Sequence, residues 1–363
     1  MSEVLPLRAP TSGRLYLHIG MHKTGTSTVQ TMMARARLTL REAGLTYVGT
    51  QINHNDLFLA FADHPEREHA NHKRGIHTAM QAQEAAARTR EVYAEALSDW
   101  GGLGSAVISG EQLCCLSAQG VDTLASFLQP WAREIRIVVA TRDPISFSTS
   151  MAQELIKAGS TLAAERRSPE LARYRARLSP YIDAFGRQAI QAFDFNLAKE
   201  RPDGPSGAFF DEVVVGSQTA ALEPCHVNES LSLDATHLLS AMNERYPVFQ
   251  KGRIELAGLA TVTDLLRKLK GPGFAMPSEW QERVWQASRD DLDWLRQVFD
   301  IDYGACGPAG NSASECSIAE VRLAELADCF HEAGVKIEAF LGEYIQLSRH
   351  LQANSASVHA EAS

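Results

Sequence analysis

Short apolar runs alternate with longer helix-forming stretches through the first two thirds of the chain. Each run is short, and rich enough in branched aliphatic and aromatic residues, to favour a buried β-strand. The runs lie at about residues 14–19, 45–48, 105–109, 135–141 and 189–195. We therefore predict five strands in this part of the chain.

The stretches between these runs carry helix signals. The stretch after the first run has apolar residues at helical spacing up to Gly44, a candidate C-cap. Residues 78–100 are rich in Ala, Gln, Glu and Arg, and 116–128 predict a further helix. Asp143 and Pro144 suit the cap and the first position of the next one. Strands alternating with helices predict an α/β fold with a parallel sheet.

The last third of the chain has a different pattern, which predicts helices and no further strand beyond residue 225. Residues 208–214, before that point, fit either a helix or a strand. Ser317 and Glu320 form a capping box for a last helix that continues to Leu347. The predicted divisions are a three-layer α/β domain at 14–247, a helical extension packed on it at 248–350, and loose tails at 1–13 and 351–363.

Composition and charge limit the partners of the chain. Its 363 residues are 45% hydrophobic and 22% charged, which is ordinary for a globular protein. A formal charge of -9 predicts no general attraction to nucleic acid or anionic lipid. No segment is long and apolar enough to span a bilayer and no basic-then-apolar leader begins the chain, so we expect a cytoplasmic protein. The six cysteines form no CxxC pair and are expected to be reduced core residues.

The stretch His18–Gln30 carries the clearest chemical signal. Gly20 and Gly25 allow a tight turn between the first strand and a helix whose unpaired N–H groups favour an anion. This spacing matches a P-loop, but Thr26 follows the second glycine where an ATP-binding loop carries lysine. The basic residue is Lys23, inside the loop. The pattern therefore predicts a phosphate-binding loop of a different kind.

This loop resembles that of the sulfotransferases that use 3′-phosphoadenosine-5′-phosphosulfate (PAPS), with His22 in the place of the usual proline. The resemblance implies a P-loop-type α/β fold and a loop that holds the 5′-phosphosulfate of the donor. The donor-binding residues that it implies in the loop are His22, Lys23, Thr24, Gly25, Thr26, Ser27 and Thr28.

The resemblance covers about residues 14–245, from the loop to a similar segment at 226–247, and the family pattern has two further matches in this chain. Arg142 ends a predicted strand and Ser150 follows eight positions later, as do the arginine and serine that bind the donor's 3′-phosphate in the family. Lys251, Gly252 and Arg253 are similar to the triplet that closes over the donor in several members. A solvated basic turn explains the triplet equally well.

The resemblance implies sulfuryl transfer to a hydroxyl or amine of a carbohydrate-type acceptor, with Lys23 stabilising the leaving bisphosphate. The family uses His or Glu to accept the acceptor's proton. Glu111 follows a predicted strand, where open α/β sheets keep their sites, whereas His54 lies in a polar segment. We favour Glu111 as the base, with His54 helping to place the acceptor.

No metal is expected in this reaction. His54, His64, His69 and His72 cluster along the sequence, but their spacing fits no zinc motif and no cysteine is near them. A group of arginines between 166 and 177 fits a solvated face or an acceptor groove.

Two other functions fit parts of the sequence. One is a P-loop kinase. Thr26 in place of the lysine of an ATP-binding loop argues against it, and so does the pair Arg142 and Ser150. The other is a donor-binding or glycan-binding protein without catalysis, which the sequence does not separate from an enzyme. The acceptor and the oligomeric state are not specified by these patterns.

Overall fold

The computed structural model describes most of the chain and divides it into two compact units. The described residues are 13–72, 74–213, 230–245, 249–250, 253–254 and 259–308. Among them, the first unit comprises 13–143, 172–213 and 288–305, and the second comprises 144–171, those within 230–287, and 306–308. The units interleave along the chain. The predicted boundary at residue 247 lies outside the described residues and stays a prediction.

The first unit contains a five-stranded parallel sheet. Its strands are β1 Arg14–His18, β2 Leu45–Tyr47, β3 Ser105–Ser109, β4 Glu134–Thr141 and β5 Ile190–Asp194. Their order across the sheet is β2-β3-β1-β4-β5, and every pairing is parallel. The central strand β1 therefore lies between β3 and β4, and all five strands end at the same edge.

Helices connect these strands and cover the sheet. In the first unit they are α1 Thr26–Arg35, α2 Arg37–Glu42, α3 Asp56–Phe61, α4 His69–His72, α5 Ala79–Trp100, α6 Ala118–Leu128, α9 Tyr174–Phe185, α10 Phe195–Lys199 and α11 Gly204–Val213. On one face, Val29 and Met33 of α1 and Phe209 of α11 pack with Tyr16 and Val138 of the sheet. The α/β fold with a parallel sheet flanked by helices is confirmed.

Helices make up most of the described second unit. They are α7 Pro144–Lys157, α8 Leu162–Arg167, α12 Leu233–Arg245, α13 Leu259–Leu266 and the first part of α14 Ser278–Phe299. Ala152 of α7 packs with Met276, Trp280 and Val284 in a small core. These residues form a cluster distinct from the one around Tyr16 and Val138.

Several sequence predictions need correction. The stretch up to Gly44 is two helices, which meet at Ala36. Residues 208–213 belong to a helix, which settles the open assignment there. Two antiparallel strands, β6 Phe249–Gln250 and β7 Arg253–Ile254, lie where no strand was predicted. Two residues are too few to produce a recognisable periodicity.

Other predictions fall outside the described residues. These are the last helix from Ser317, the tail at 351–363 and the first two residues of the triplet, Lys251 and Gly252. Arg253 begins β7. None of the helices in the described part of the chain combines the length and apolar character needed to cross a membrane.

Candidate active site

The predicted phosphate-binding loop lies at the carboxyl end of the central strand. It connects β1 to α1, which begins at Thr26. On one side Ile19 N donates to Val138 O of β4 at 3.1 Å, and on the other Gly110 N donates to His18 O at 3.0 Å. The loop is therefore held between the ends of β3 and β4. Open α/β sheets keep their ligand sites at such a point, where the strand order reverses.

Backbone conformation explains the two glycines and marks Lys23. Gly20 has a φ of 100°, and a Cβ there would lie 3.0 Å from the carbonyl oxygen of Glu111. Gly25 precedes α1 with a φ of 77°. Lys23 adopts a φ of 60°, which a residue with a side chain rarely does outside constrained sites. The loop thus adopts a constrained backbone conformation that holds Lys23 three residues before the start of α1.

The loop hydroxyls divide into two groups. Thr24 Oγ1 donates to Met21 O at 2.6 Å, and Thr26 Oγ1 donates to the same carbonyl at 3.3 Å. Both threonines are buried. Ser27 and Thr28 are half-buried in the first turn of α1. The first pair therefore shapes the loop, and an anion would be met by backbone N–H groups and by the second pair.

Arg142 reaches this loop from the end of β4. Its Nη1 donates to Lys23 O at 2.7 Å, and its guanidinium lies 5.2 Å from the centre of the Phe195 ring. Its backbone N–H donates to the Tyr174 hydroxyl at 2.8 Å, and that hydroxyl donates back to Arg142 O. Burial lowers the pKa of Arg142, but arginine stays charged at any ordinary pH. Two motifs 119 residues apart in sequence thus meet at one point.

Ser150 lies on α7 and is half-buried. It belongs to the second unit, whereas Arg142 belongs to the first. Their joint binding of one phosphate therefore stays a prediction. Pro144 is the first residue of α7, as its sequence context predicts.

Glu111 lies on the other side of the loop, just after β3. It begins a 3-10 helix, Glu111–Cys115, and its Oε1 accepts a hydrogen bond from Nδ1 of His22 at 2.8 Å. Both side chains are 22% exposed. Burial lowers the pKa of His22, but hydrogen bonds with Cys115 and Glu111 outweigh it and raise that pKa to about 9. At neutral pH, His22 is therefore a second positive charge in the loop.

His54 has a different environment. Its side chain is 0% exposed, its Nδ1 accepts from Ser109 N at 2.8 Å, and its Nε2 donates to Val48 O at 2.7 Å. Both ring nitrogens are used, which fixes the neutral tautomer. Burial lowers its pKa to about 4. This geometry suits a residue that holds β3 in place.

Cys114 and Cys115, which the sequence analysis assigned to the core, lie beside this loop. Cys115 Sγ lies 3.5 Å from His22 Nε2 and 3.8 Å from Cys114 Sγ, and Arg177 Nη1 lies 3.8 Å from Cys114 Sγ. Cys114 is buried and Cys115 is exposed. The hydrogen bond with Cys114, together with His22 and Arg177, lowers the pKa of Cys115 despite its desolvation. One feature of the sequence could have placed them near the loop: they follow β3, the strand that pairs with β1, by a few residues.

Fold and loop define the class of protein: a parallel α/β sheet with a glycine-containing loop that opens at its carboxyl edge. No family model matches the chain, and no curated protein matches it in sequence. Similar solved structures include that of a sulfotransferase from Alicyclobacillus acidocaldarius. It is 14% identical, with a TM-score of 0.44 and an alignment covering 80% of this chain and 97% of that one.

Another similar structure is the sulfotransferase domain from the curacin biosynthetic pathway. It is 10% identical, with a TM-score of 0.32 and an alignment covering 77% of this chain and 99% of that one. At TM-scores this low, neither likeness carries an argument about what this chain does.

Proposed function

We propose that the chain is a sulfotransferase that moves a sulfuryl group from PAPS to a hydroxyl or amine of a carbohydrate-type acceptor. The loop around Lys23 holds the donor's 5′-phosphosulfate, and the transfer is in line and needs no metal. The donor sequence motifs and the geometry of the first unit support this proposal. The acceptor class rests on the motif resemblance alone.

The contact between Arg142 and the loop is the observation that carries the proposal. Arg142 Nη1 donates to Lys23 O at 2.7 Å, so a guanidinium is fixed beside a loop that already holds Lys23 and a helix N-terminus. The Arg142 guanidinium and the N-terminus of α1 are thus two sources of positive potential beside the loop that carries Lys23, in a chain with a net charge of -9. Such convergence suits a ligand with several phosphate-type groups, such as a nucleotide with phosphates on both its 3′ and 5′ positions.

The same residues argue against a P-loop kinase. Thr26 occupies the position of the phosphate-binding lysine in an ATPase, and it is buried with its hydroxyl donated to Met21 O. Arg142 directly follows β4, at a position where a magnesium-binding enzyme would offer an acidic residue. Neither the lysine nor the acid of a magnesium–ATP site is therefore present at these positions.

The proposed reaction forms one bond and breaks one. An oxygen or nitrogen of the acceptor attacks sulfur, the bond from sulfur to the donor's bridging oxygen breaks, and adenosine 3′,5′-bisphosphate leaves. Lys23 and the N–H groups of the loop stabilise the charge that develops on the leaving oxygen. Glu111 takes the proton that the acceptor loses. Its contact with His22 Nδ1 fixes the direction of the carboxylate.

The remaining donor contacts follow the motif assignments. The motif resemblance assigns the 3′-phosphate to Arg142 and Ser150, and it assigns a further donor contact to Lys251, Gly252 and Arg253. His54 supports β3 from within and has no direct part in the transfer, because its side chain is 0% exposed. The burial of His54 supports the choice of Glu111 as the base in this proposal.

Calorimetry with three ligands tests the donor assignment. We expect adenosine 3′,5′-bisphosphate to bind much more tightly than ADP, and ATP with magnesium to bind no better than ADP. Equal affinities, or binding of ATP that needs magnesium, would favour the kinase. Transfer of labelled sulfate from PAPS to a panel of glycans and small hydroxylated acceptors then tests catalysis. Tight bisphosphate binding without transfer to any member would favour a donor-binding protein.

A further inference from the structure

A compact group of three side chains lies beside the loop: His22, Cys114 and Cys115. The distance from Cys115 Sγ to His22 Nε2 is 3.5 Å, and the distance between the two sulfur atoms is 3.8 Å. One ligand atom from each residue lies within 4.8 Å of the others, and among the described residues no second group of this kind occurs.

These distances match the edges of a metal tetrahedron. With Zn–S bonds of about 2.3 Å and a Zn–N bond of about 2.0–2.1 Å, tetrahedral angles place two sulfur atoms about 3.8 Å apart and a sulfur and a nitrogen about 3.6 Å apart. Both measured edges are therefore within about 0.2 Å of those a bound zinc ion requires, the tolerance for a plausible site. The side chains need little movement to become ligands.

The surroundings of the group also suit a metal. Glu111 Oε1 accepts from His22 Nδ1 at 2.8 Å, which directs Nε2 toward the cysteines. Histidines that bind zinc commonly donate their other ring N–H to a carboxylate in this way. The hydrogen bond with Cys115 and burial raise the pKa of Cys114, and Arg177 Nη1, 3.8 Å from Cys114 Sγ, opposes that rise. Cys115 is exposed, so the group can be reached from solvent.

We propose that His22, Cys114 and Cys115 form a binding site for Zn²⁺ or a closely similar thiophilic cation. The site offers two thiolates and one imidazole, a soft donor set that selects such ions over magnesium or calcium. The protein supplies three ligands, and water or a small anion takes the fourth position. Binding displaces the thiol protons and the proton on Nε2 of His22.

A metal bound at this site would restrict the conformation of the loop but would take no part in the transfer step. His22 directly precedes Lys23, so a metal on its Nε2 fixes the ring and the adjoining backbone. The proposal rests on distances within the first unit and holds whether or not the chain transfers sulfate.

Cobalt substitution tests the site directly. The protein is stripped with a chelator under reducing conditions and titrated with Co²⁺, and the spectrum is followed. We expect a thiolate-to-cobalt charge-transfer band and the strong visible absorption of tetrahedral cobalt, both saturating at one equivalent. Zn²⁺ then displaces the cobalt, and competition with a chromophoric chelator gives its affinity.

Variants identify the ligands. Cys115→Ser changes an exposed side chain, so we expect the fold to persist, the charge-transfer band to be lost and Zn²⁺ affinity to fall roughly a hundredfold or more. Glu111→Gln, which changes only the partner of His22, weakens Zn²⁺ binding by about 10- to 100-fold. Cys306→Ser, at a cysteine outside the group, leaves both measurements unchanged.

Two results would overturn the proposal. One is the absence of a thiolate-to-cobalt band in the stripped, reduced protein. The other is a band that persists in Cys115→Ser, which would place the metal elsewhere in the chain. Binding of adenosine 3′,5′-bisphosphate, measured on the same metal-free sample, separates this result from a failure of the proposed function.

Discussion

The two sides of the phosphate loop are built from different chemistry. On the β4 side Arg142 contacts the loop backbone and lies near the Phe195 ring. On the β3 side Glu111, His22 and Cys115 form a chain of hydrogen-bonded titratable groups. The arginine keeps its charge at any ordinary pH, whereas the pKa values of His22 and Cys115 are shifted in opposite directions.

This difference suggests that the β4 side binds the donor and that the β3 side takes part in proton transfer or metal binding. A guanidinium held against the loop supplies constant positive charge, which suits recognition of a phosphate. The carboxyl, imidazole and thiol groups on the β3 side can gain or lose a proton, which suits proton transfer or metal binding. Because β1 lies between β3 and β4, the loop brings the two sides within one site. Changes on the β3 side should therefore alter turnover or metal binding, and changes on the β4 side should alter donor affinity.

Glu111 gives the largest expected effect. Glu111→Gln removes the proposed base and keeps the shape of the side chain, so the turnover number with an identified acceptor should fall by about 10² to 10⁴. The affinity for adenosine 3′,5′-bisphosphate should stay unchanged. Glu91→Gln, at an exposed position on α5, is the matched control. Normal turnover in Glu111→Gln would remove the β3 side from the chemistry.

Lys23 lies between the two sides and gives the next largest effect. Lys23→Ala should lower the turnover number by on the order of a hundredfold, because its ammonium stabilises charge that develops as the bisphosphate leaves. Thermal unfolding should change little, since the side chain is half-buried in a loop. Lys199→Ala, an exposed lysine on α10, serves as the control. An unfolded Lys23→Ala protein would point to a structural role instead.

Arg142 tests the β4 side. Arg142→Ala should weaken binding of adenosine 3′,5′-bisphosphate roughly ten- to a hundredfold, since a charge-assisted hydrogen bond contributes about 1.5–3 kcal/mol. Arg136→Ala removes an arginine on β4, six residues before Arg142 and about 20 Å away along an extended chain, and should leave the affinity unchanged. Calorimetry measures both. If Arg142→Ala changes turnover but not affinity, the division between the two sides is wrong.

Sequence reasoning predicted much of the frame of this site. The apolar run at 105–109 is β3 to the residue, and β1 and β4 begin within one residue of their predicted starts, because buried parallel strands have a strong and continuous apolar signal. Gly20 and Gly25 marked the loop, since only glycine readily adopts their backbone angles. Strands and tight turns can be predicted in this way because they depend on residues that are close together in the sequence.

Contacts between segments that are distant in the sequence could not be predicted from the sequence. Nothing in the sequence pairs His22 with Glu111, or either with the cysteines at 114 and 115, because the order of strands decides which strand ends become neighbours. The cysteines were assigned to the core on composition alone. His54 lay in a polar segment, yet its ring is buried because strand β3 and residue Val48 use both its nitrogens.

His54 gives the smallest effect and tests whether the β3 side has a purely structural part. Its folded-state pKa is about 4, against a usual value of 6.5, because burial disfavours the charged ring. Between these values the unfolded chain binds a proton that the folded chain does not. The free energy of unfolding should therefore fall as the pH is lowered from 6.5 towards 4, with a slope from this residue of up to about 1.4 kcal/mol per pH unit.

The rings of Tyr47 and Tyr93 pack against His54, and the charges that act on it are those of Asp56 and Arg37. His54→Gln keeps one donor and one acceptor but cannot titrate. Urea unfolding at several pH values should show a shallower slope in His54→Gln than in the wild type, whereas His64→Gln, at a side chain 61% exposed, serves as the control. His18, also buried with a pKa of about 4, keeps part of the slope in every variant. An unchanged slope in His54→Gln would mean that the ring reaches solvent, and His54 would return as a candidate base.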